Sequence, residues 1–168
     1  MAIRLEPFGE LHLSALEEML DDPQLLRFTR VPEPVPPGFA RIWLERYEQG
    51  RRDRSRDAFA IVEGGDFLGL ALAPRIEDEE RTAELGYVVS PAARGRGVAT
   101  EALRQLTDWA FAEREMLRLE LLISVENVAS KRVAERCGYV REGVLRSLHV
   151  KQGLREDTEL WSRLATDP

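Results

Sequence analysis

The segment from Ser90 to Glu101 combines residue types and spacings that can bind an anion. A strand-like run stops at Pro91, and Arg94, Gly95, Arg96 and Gly97 lead straight into Val98, Ala99 and Thr100, the start of an amphipathic pattern. The opening amides of a helix have no intrahelical acceptor and lie at the positive end of the helix dipole, while glycine lets a phosphate approach the backbone closely. Arg94 and Arg96 add charged donors. The same residues would also make a plain tight turn with both arginines in water. Spacing excludes two familiar phosphate loops: a dinucleotide fold wants a third glycine where Thr100 stands, and a P-loop wants Lys followed by Ser or Thr.

A second group lies downstream. Asn127 is a good helix N-cap, and Ser130 falls on the same stripe as Val133, Ala134 and Cys137. A hydroxyl on an inward stripe needs a partner, which could be simply backbone. Cys137 on that stripe reads as core rather than as a nucleophile, because no motif places His12 or His149 beside it. Tyr139, directly after Gly138, also reads as core. Glu84, a carboxylate in the strand before the glycine loop, is either a general base acting through water or a paired strand residue.

Arg94, Gly97 and Ala99 match a Q/R-x-x-G-x-G/A signature, flanked by Glu84, Leu85, Gly86 and Tyr87 and by Thr100, Glu101 and Ala102. Asn127 and Ser130 then fit N-x-x-S, followed by Cys137-Gly138-Tyr139, Glu142-Gly143 and, near the end, Gly153, Asp157 and Leu160. On these residues the chain resembles the GNAT superfamily of N-acetyltransferases, and within it the RimJ/RimL-like branch that acetylates the N-termini of ribosomal proteins.

The resemblance implies acetyl-CoA as cosubstrate, its pyrophosphate held at Arg94, Gly95, Arg96, Gly97, Val98, Ala99 and Thr100. It implies a pantetheine arm along the strand backbone at Tyr87, Val88 and Val89, in a gap between diverging strands and beside Asn127 and Ser130. A strand amide near Val88 would polarise the thioester carbonyl, and Ser130 would protonate or solvate the departing thiolate. Many relatives carry a tyrosine general acid in this helix; here Ala134 aligns with it, so that route is not expected. No metal is needed. A homodimer is common in the branch and is a further expectation.

These residues need elements to hold them. Ile3 to Pro7 reads as a strand, and Leu11, Leu13, Leu16, Met19 and Leu20 as a helix stopped by Pro23. Pro32, Pro34, Pro36 and Pro37 make a stiff loop before a second helix around Phe39 to Gln49. Ala58 to Glu63 and Phe67 to Ala73 read as a hairpin across Gly64, Gly65 and Asp66, and Thr82 to Ser90 as the next strand. Ala99, Ala102, Leu103, Leu106, Trp109 and Ala110 mark a central helix from Gly97 to Arg114. Leu117 to Val125 is a strand, a short helix ends at Gly138, and Tyr139 to Val150 pairs with Glu156 to Leu164 across Gln152 and Gly153. The fold class is therefore α/β (α+β): a mixed, mostly antiparallel twisted sheet of about six to seven strands with helices on both faces, in a single domain over residues 1–168. That is the acyl-CoA N-acyltransferase fold of the resembled family.

Composition bounds the partners. With 30 acidic against 24 basic residues the formal charge is −6, which argues against nucleic acid or an anionic membrane and suits a cationic amine. Arg51, Arg52, Arg54 and Arg56 read as a solvated loop. One cysteine allows no internal disulfide, no apolar run reaches the roughly 18 residues of a membrane span, and Met1 to Glu10 lacks a signal-peptide core, so the cytoplasm is the expected compartment.

The acceptor is expected to be a peptide or protein N-terminal amine. An α-amine with a pKa near 8 is about one-tenth neutral at pH 7, whereas a lysine near 10.4 is neutral in about one part in a few thousand, a gap of roughly 3 kcal/mol. A site without an obvious strong base suits the former. Acetylation of a small amine such as a polyamine or an aminoglycoside stays open, as do a non-catalytic acyl-CoA sensor, which Ala134 favours, and a glycine-loop nucleotide binder.

Overall fold

The computed structural model describes residues 2–168. Its elements run β1 (Arg4–Pro7), a 3-10 turn (Glu10–His12), α1 (Leu13–Met19), α2 (Pro23–Phe28), α3 (Phe39–Asp53), β2 (Asp57–Glu63), β3 (Asp66–Glu77) and β4 (Thr82–Val89). A second 3-10 turn (Pro91–Ala93), α4 (Val98–Ala112), β5 (Arg118–Ser124), α5 (Val128–Arg136), β6 (Val140–Lys151) and β7 (Leu154–Leu164) complete it. The seven strands form one sheet in the order β1-β2-β3-β4-β5-β7-β6, antiparallel everywhere except between β4 and β5.

Strand alternation divides the core between the two faces. On one face Ala71, Ala73, Leu119 and Leu121 pack with Ala102, Leu103, Leu106 and Ala110 of α4 and Ala134 of α5. On the other, Leu70, Leu72 and Val88 pack with Leu16 of α1, Leu25 of α2 and Phe39, Trp43 and Leu44 of α3. Fully burying a leucine contributes roughly 1.5–3 kcal/mol, so both faces are anchored by such residues.

The structure departs from the sequence reading at three places. Pro23 does not merely stop a helix. It is the first residue of α2, whose N-cap Asp22 accepts from the Leu25 amide at 2.9 Å, and proline fits that position because it has no amide to leave unpaired. Leu11, counted on the first helix stripe, lies in the 3-10 turn and is 94% exposed. Arg51 and Arg52 are in the last turn of α3, not in a loop, and Arg51 donates to the Asp57 carboxylate and the Ala58 carbonyl, both at 2.8 Å.

Candidate active site

Between β4 and β5 the pairing is short. Thr82, Ala83 and Glu84 stand opposite Arg118, Leu119 and Glu120, and no register pair follows. Both strands continue, β4 to Val89 and β5 to Ser124, so the edge of β4 beyond Glu84 is left without a strand partner on that side. Which of its amides face the opening follows from alternation. The Ser90 amide donates to the Leu68 carbonyl on β3 at 2.8 Å, and the Val88 carbonyl also faces β3, so close that a Cβ on Gly69 would sit 2.0 Å from it. Only glycine fits there. Polar groups of every second residue point the same way, so the Tyr87 and Val89 amides face the gap and the Val88 amide faces β3.

The gap opens beside the start of α4. Gly95 and Gly97 hold φ of 73° and 80°, values that glycine adopts without a Cβ clash. They turn the chain so that the first intrahelical bond is Glu101 to the Gly97 carbonyl at 3.1 Å. No side chain caps the helix. The amides of Val98, Ala99 and Thr100 therefore have no acceptor within it, and a diphosphate fits this uncapped, glycine-flanked end.

The loop arginines are not free donors. Arg94 is paired with Asp22 and bonds Gln24 at 3.2 Å, and Arg96 is paired with Glu63. The Arg94 guanidinium holds the Asp22 carboxyl below its ordinary range against a partial desolvation. The signature arginine thus ties the loop to α2.

Ser130 is placed by local geometry. The Asn127 side chain caps α5 by accepting from the Ser130 amide at 3.2 Å, and the Ser130 hydroxyl accepts from the Tyr87 phenol at 3.1 Å. Tyr87 reaches it from β4 on the face covered by α4 and α5. Burial pushes that phenol up to about 12, the bond to Ser130 lowering it in part, so it remains protonated. The sequence reading placed only the backbone of Tyr87 in the site. Ala134 is buried in the core one turn along, and Cys137 is buried with its thiol donating to the Thr100 carbonyl at 3.4 Å. Tyr139 is likewise core, 2.8 Å from the Thr107 hydroxyl.

Glu84 lies on the opposite face, its side chain 12% exposed, accepting from Arg30 at 3.2 Å with Arg75 at 3.8 Å. Arg30 also lines a cavity of about 530 Å³ in front of the sheet, built by Arg27 to Glu33, by Leu122, Ser124 and Thr158, and by the β6-β7 turn from His149 to Gly153 with Glu156. Its carboxylates are engaged: Glu156 with Arg27 at 2.7 Å and Glu33 with Lys151 at 3.1 Å. His149, which no motif singled out, faces this cavity. Burial, with Arg30 nearby, pushes its imidazole below the ordinary range, while Glu156 opposes that shift. Among the described residues, no group of three or more His, Cys, Asp or Glu side chains converges as a metal site, and no helix is long and apolar enough to cross a membrane.

Comparison with known proteins identifies the fold and the family. The fold is similar to that of RimL, a ribosomal L7/L12 alpha-N-protein acetyltransferase solved with coenzyme A, which superposes with a TM-score of 0.91 at 20% identity over 98% of this chain and 94% of that one. In sequence, the chain is 32% identical over 104 residues to the putative ribosomal N-acetyltransferase YdaF of Bacillus subtilis, covering 62% of this chain and 57% of YdaF. It is 28% identical over 99 residues to spermidine N(1)-acetyltransferase of Escherichia coli, covering 59% of this chain and 53% of that enzyme. The matched stretch thus spans somewhat over half the length of these curated relatives. The acetyltransferase (GNAT) domain model matches residues 2–140. The chain belongs to the GNAT acetyltransferase family.

Proposed function

We propose that the protein is an N-acetyltransferase of one domain over residues 1–168, using acetyl-CoA to acetylate a protein or peptide N-terminal amine by direct attack in a ternary complex. The observation that carries this reading is the parting of β4 from β5 beside the uncapped start of α4. Amides from Gly95 to Thr100 would hold the pyrophosphate, with Arg94 and Arg96 at the rim, and Tyr87, Val88 and Val89 with Asn127 and Ser130 would flank the pantetheine arm. Bound acetyl-CoA supplies an electrophilic thioester carbonyl. The gap-facing amides of Tyr87 and Val89 stabilise negative charge on its oxygen, and the Ser130 hydroxyl solvates the leaving sulfur. Glu84 takes the amine proton through water, and His149, neutral at pH 7, is a second base at the cavity.

Two lines support the N-terminal acceptor. RimL, the structural neighbour, is an alpha-N-protein acetyltransferase. The cavity also offers no cluster of free carboxylates for a polycation, since Glu33 and Glu156 are both paired to cations. A spermidine-like acceptor is the second reading, favoured by the likeness to the Escherichia coli spermidine enzyme. Thiol release from acetyl-CoA, followed with N-terminal peptides, polyamines and aminoglycosides, tests both. Turnover of peptides with a free α-amine and not of N-blocked, lysine-containing ones is expected. Tight coenzyme binding with no turnover of any acceptor would leave only a sensor.

We also propose that the protein pairs with a second copy through β6. This edge strand is exposed on both faces, with Val140 at 60% and Val150 at 59%, and an unpaired apolar edge is prone to association. Sedimentation equilibrium that gave a monomer at micromolar concentration would exclude it.

A further inference from the structure

We infer that Tyr87 is a positioning residue that aims the Ser130 hydroxyl proton into the gap between β4 and β5. The inference rests on the acetyl-transfer reading above and deepens it. A serine hydroxyl carries one proton and two lone pairs, so the direction of its proton is set by what else bonds it. The Tyr87 phenol donates to Ser130 Oγ at 3.1 Å and takes up one lone pair. The Ser130 amide is held by Asn127, which fixes where the serine sits on α5. With the Tyr87 side occupied by an incoming donor, the serine proton is left to point away from the phenol.

Protonation energetics say what that proton does. A free thiol has a pKa near 8.5, whereas the Tyr87 phenol is pushed up to about 12 and a serine hydroxyl is a weaker acid still. Moving a proton fully from either hydroxyl to a departing thiolate is therefore more than a thousandfold uphill. The sulfur leaves as thiolate, Ser130 keeps its proton and donates a hydrogen bond, and the thiolate collects a proton from solvent later. An aimed donor in a partly desolvated gap lowers the barrier without proton transfer.

The test titrates the thiol of bound coenzyme A by thiolate absorbance in the wild-type protein, Ser130→Ala, Tyr87→Phe and the double variant, alongside kcat and KM. Each single variant is expected to raise the bound thiol's pKa by about one and to lower kcat about tenfold with KM for both substrates little changed, a size typical of one charge-assisted hydrogen bond. The double variant is expected to match Ser130→Ala alone. An unchanged thiol titration in Tyr87→Phe, or effects that simply add in the double variant, would overturn the inference. If the wild-type protein binds coenzyme A yet transfers no acetyl group, the acetyltransferase reading fails, while the thiol titration still decides the role of Tyr87.

Discussion

Glu84 and Glu120 stand opposite each other in the last register pair of β4 and β5, and the Arg75 guanidinium serves both, at 3.8 and 3.0 Å. Like charges opposed on a sheet repel, and Arg75 offsets this where the strands begin to part. Arg118 continues the ladder from Glu120 to Glu142 at 2.8 and 2.7 Å.

Removing that cation should loosen the closed end of the gap. Arg75→Leu is expected to lower stability by up to about 1 kcal/mol, as for other partly exposed pairs. Urea melts at low and high salt would check it, because the loss should shrink as salt screens the repulsion.

Gly97, the N-cap residue just ahead of α4, lies in the left-handed region, where a Cβ costs about 1–2 kcal/mol. Gly97→Ala is expected to lower the melting temperature and weaken coenzyme A binding about tenfold, read by calorimetry. Retained affinity would mean that the start of α4 is not where the coenzyme's phosphates lie.

The two candidate bases differ in how they depend on pH. The His149 imidazole titrates below its ordinary value, so a rate set by it should fall on acidification through a pKa below about 6.5. Glu84→Gln and His149→Asn are compared by kcat/KM from pH 5 to 9. The variant that removes the acidic limb and costs about a hundredfold or more identifies the base.

Asp22 couples pH to stability in the opposite sense. Its folded pKa lies below the ordinary 3.8 because Arg94 donates to it. The unfolded chain therefore binds the proton more readily, and the stabilisation is fully present well above pH 4 and lost as pH falls through the folded value. Asp22→Asn keeps the helix cap but not the charge. At pH 7 it is expected to be about 1–3 kcal/mol less stable than wild type, with the difference closing toward pH 3 in denaturant melts.

What the sequence could convey followed the range of its signals. The glycine turn into α4 and the Asn127 cap over Ser130 are local, and both stand where spacing put them. The hairpins and the central helix are likewise written in short periodic runs. The contacts that complete the site are not local. Tyr87 meets Ser130 across 43 positions and Arg94 meets Asp22 across 72, distances over which no period or motif connects two residues. Pro23 was ambiguous by nature, since the same ring ends one helix or begins another. His149 sits on an edge strand whose exposed pattern gives no face to align it with, and only the sheet order brings it in front of β5 and β7.

The six-residue α2 has one end fastened by Arg94 to the turn ahead of α4, and its other end supplies Arg27 and Phe28 to the cavity wall. One six-residue element thus joins the turn ahead of α4 to the wall in front of the sheet, and packing of Leu25 into the core holds it there. On the proposed acetyl-transfer reading, the coenzyme's turn and the acceptor's cavity are tied together through this single piece of chain.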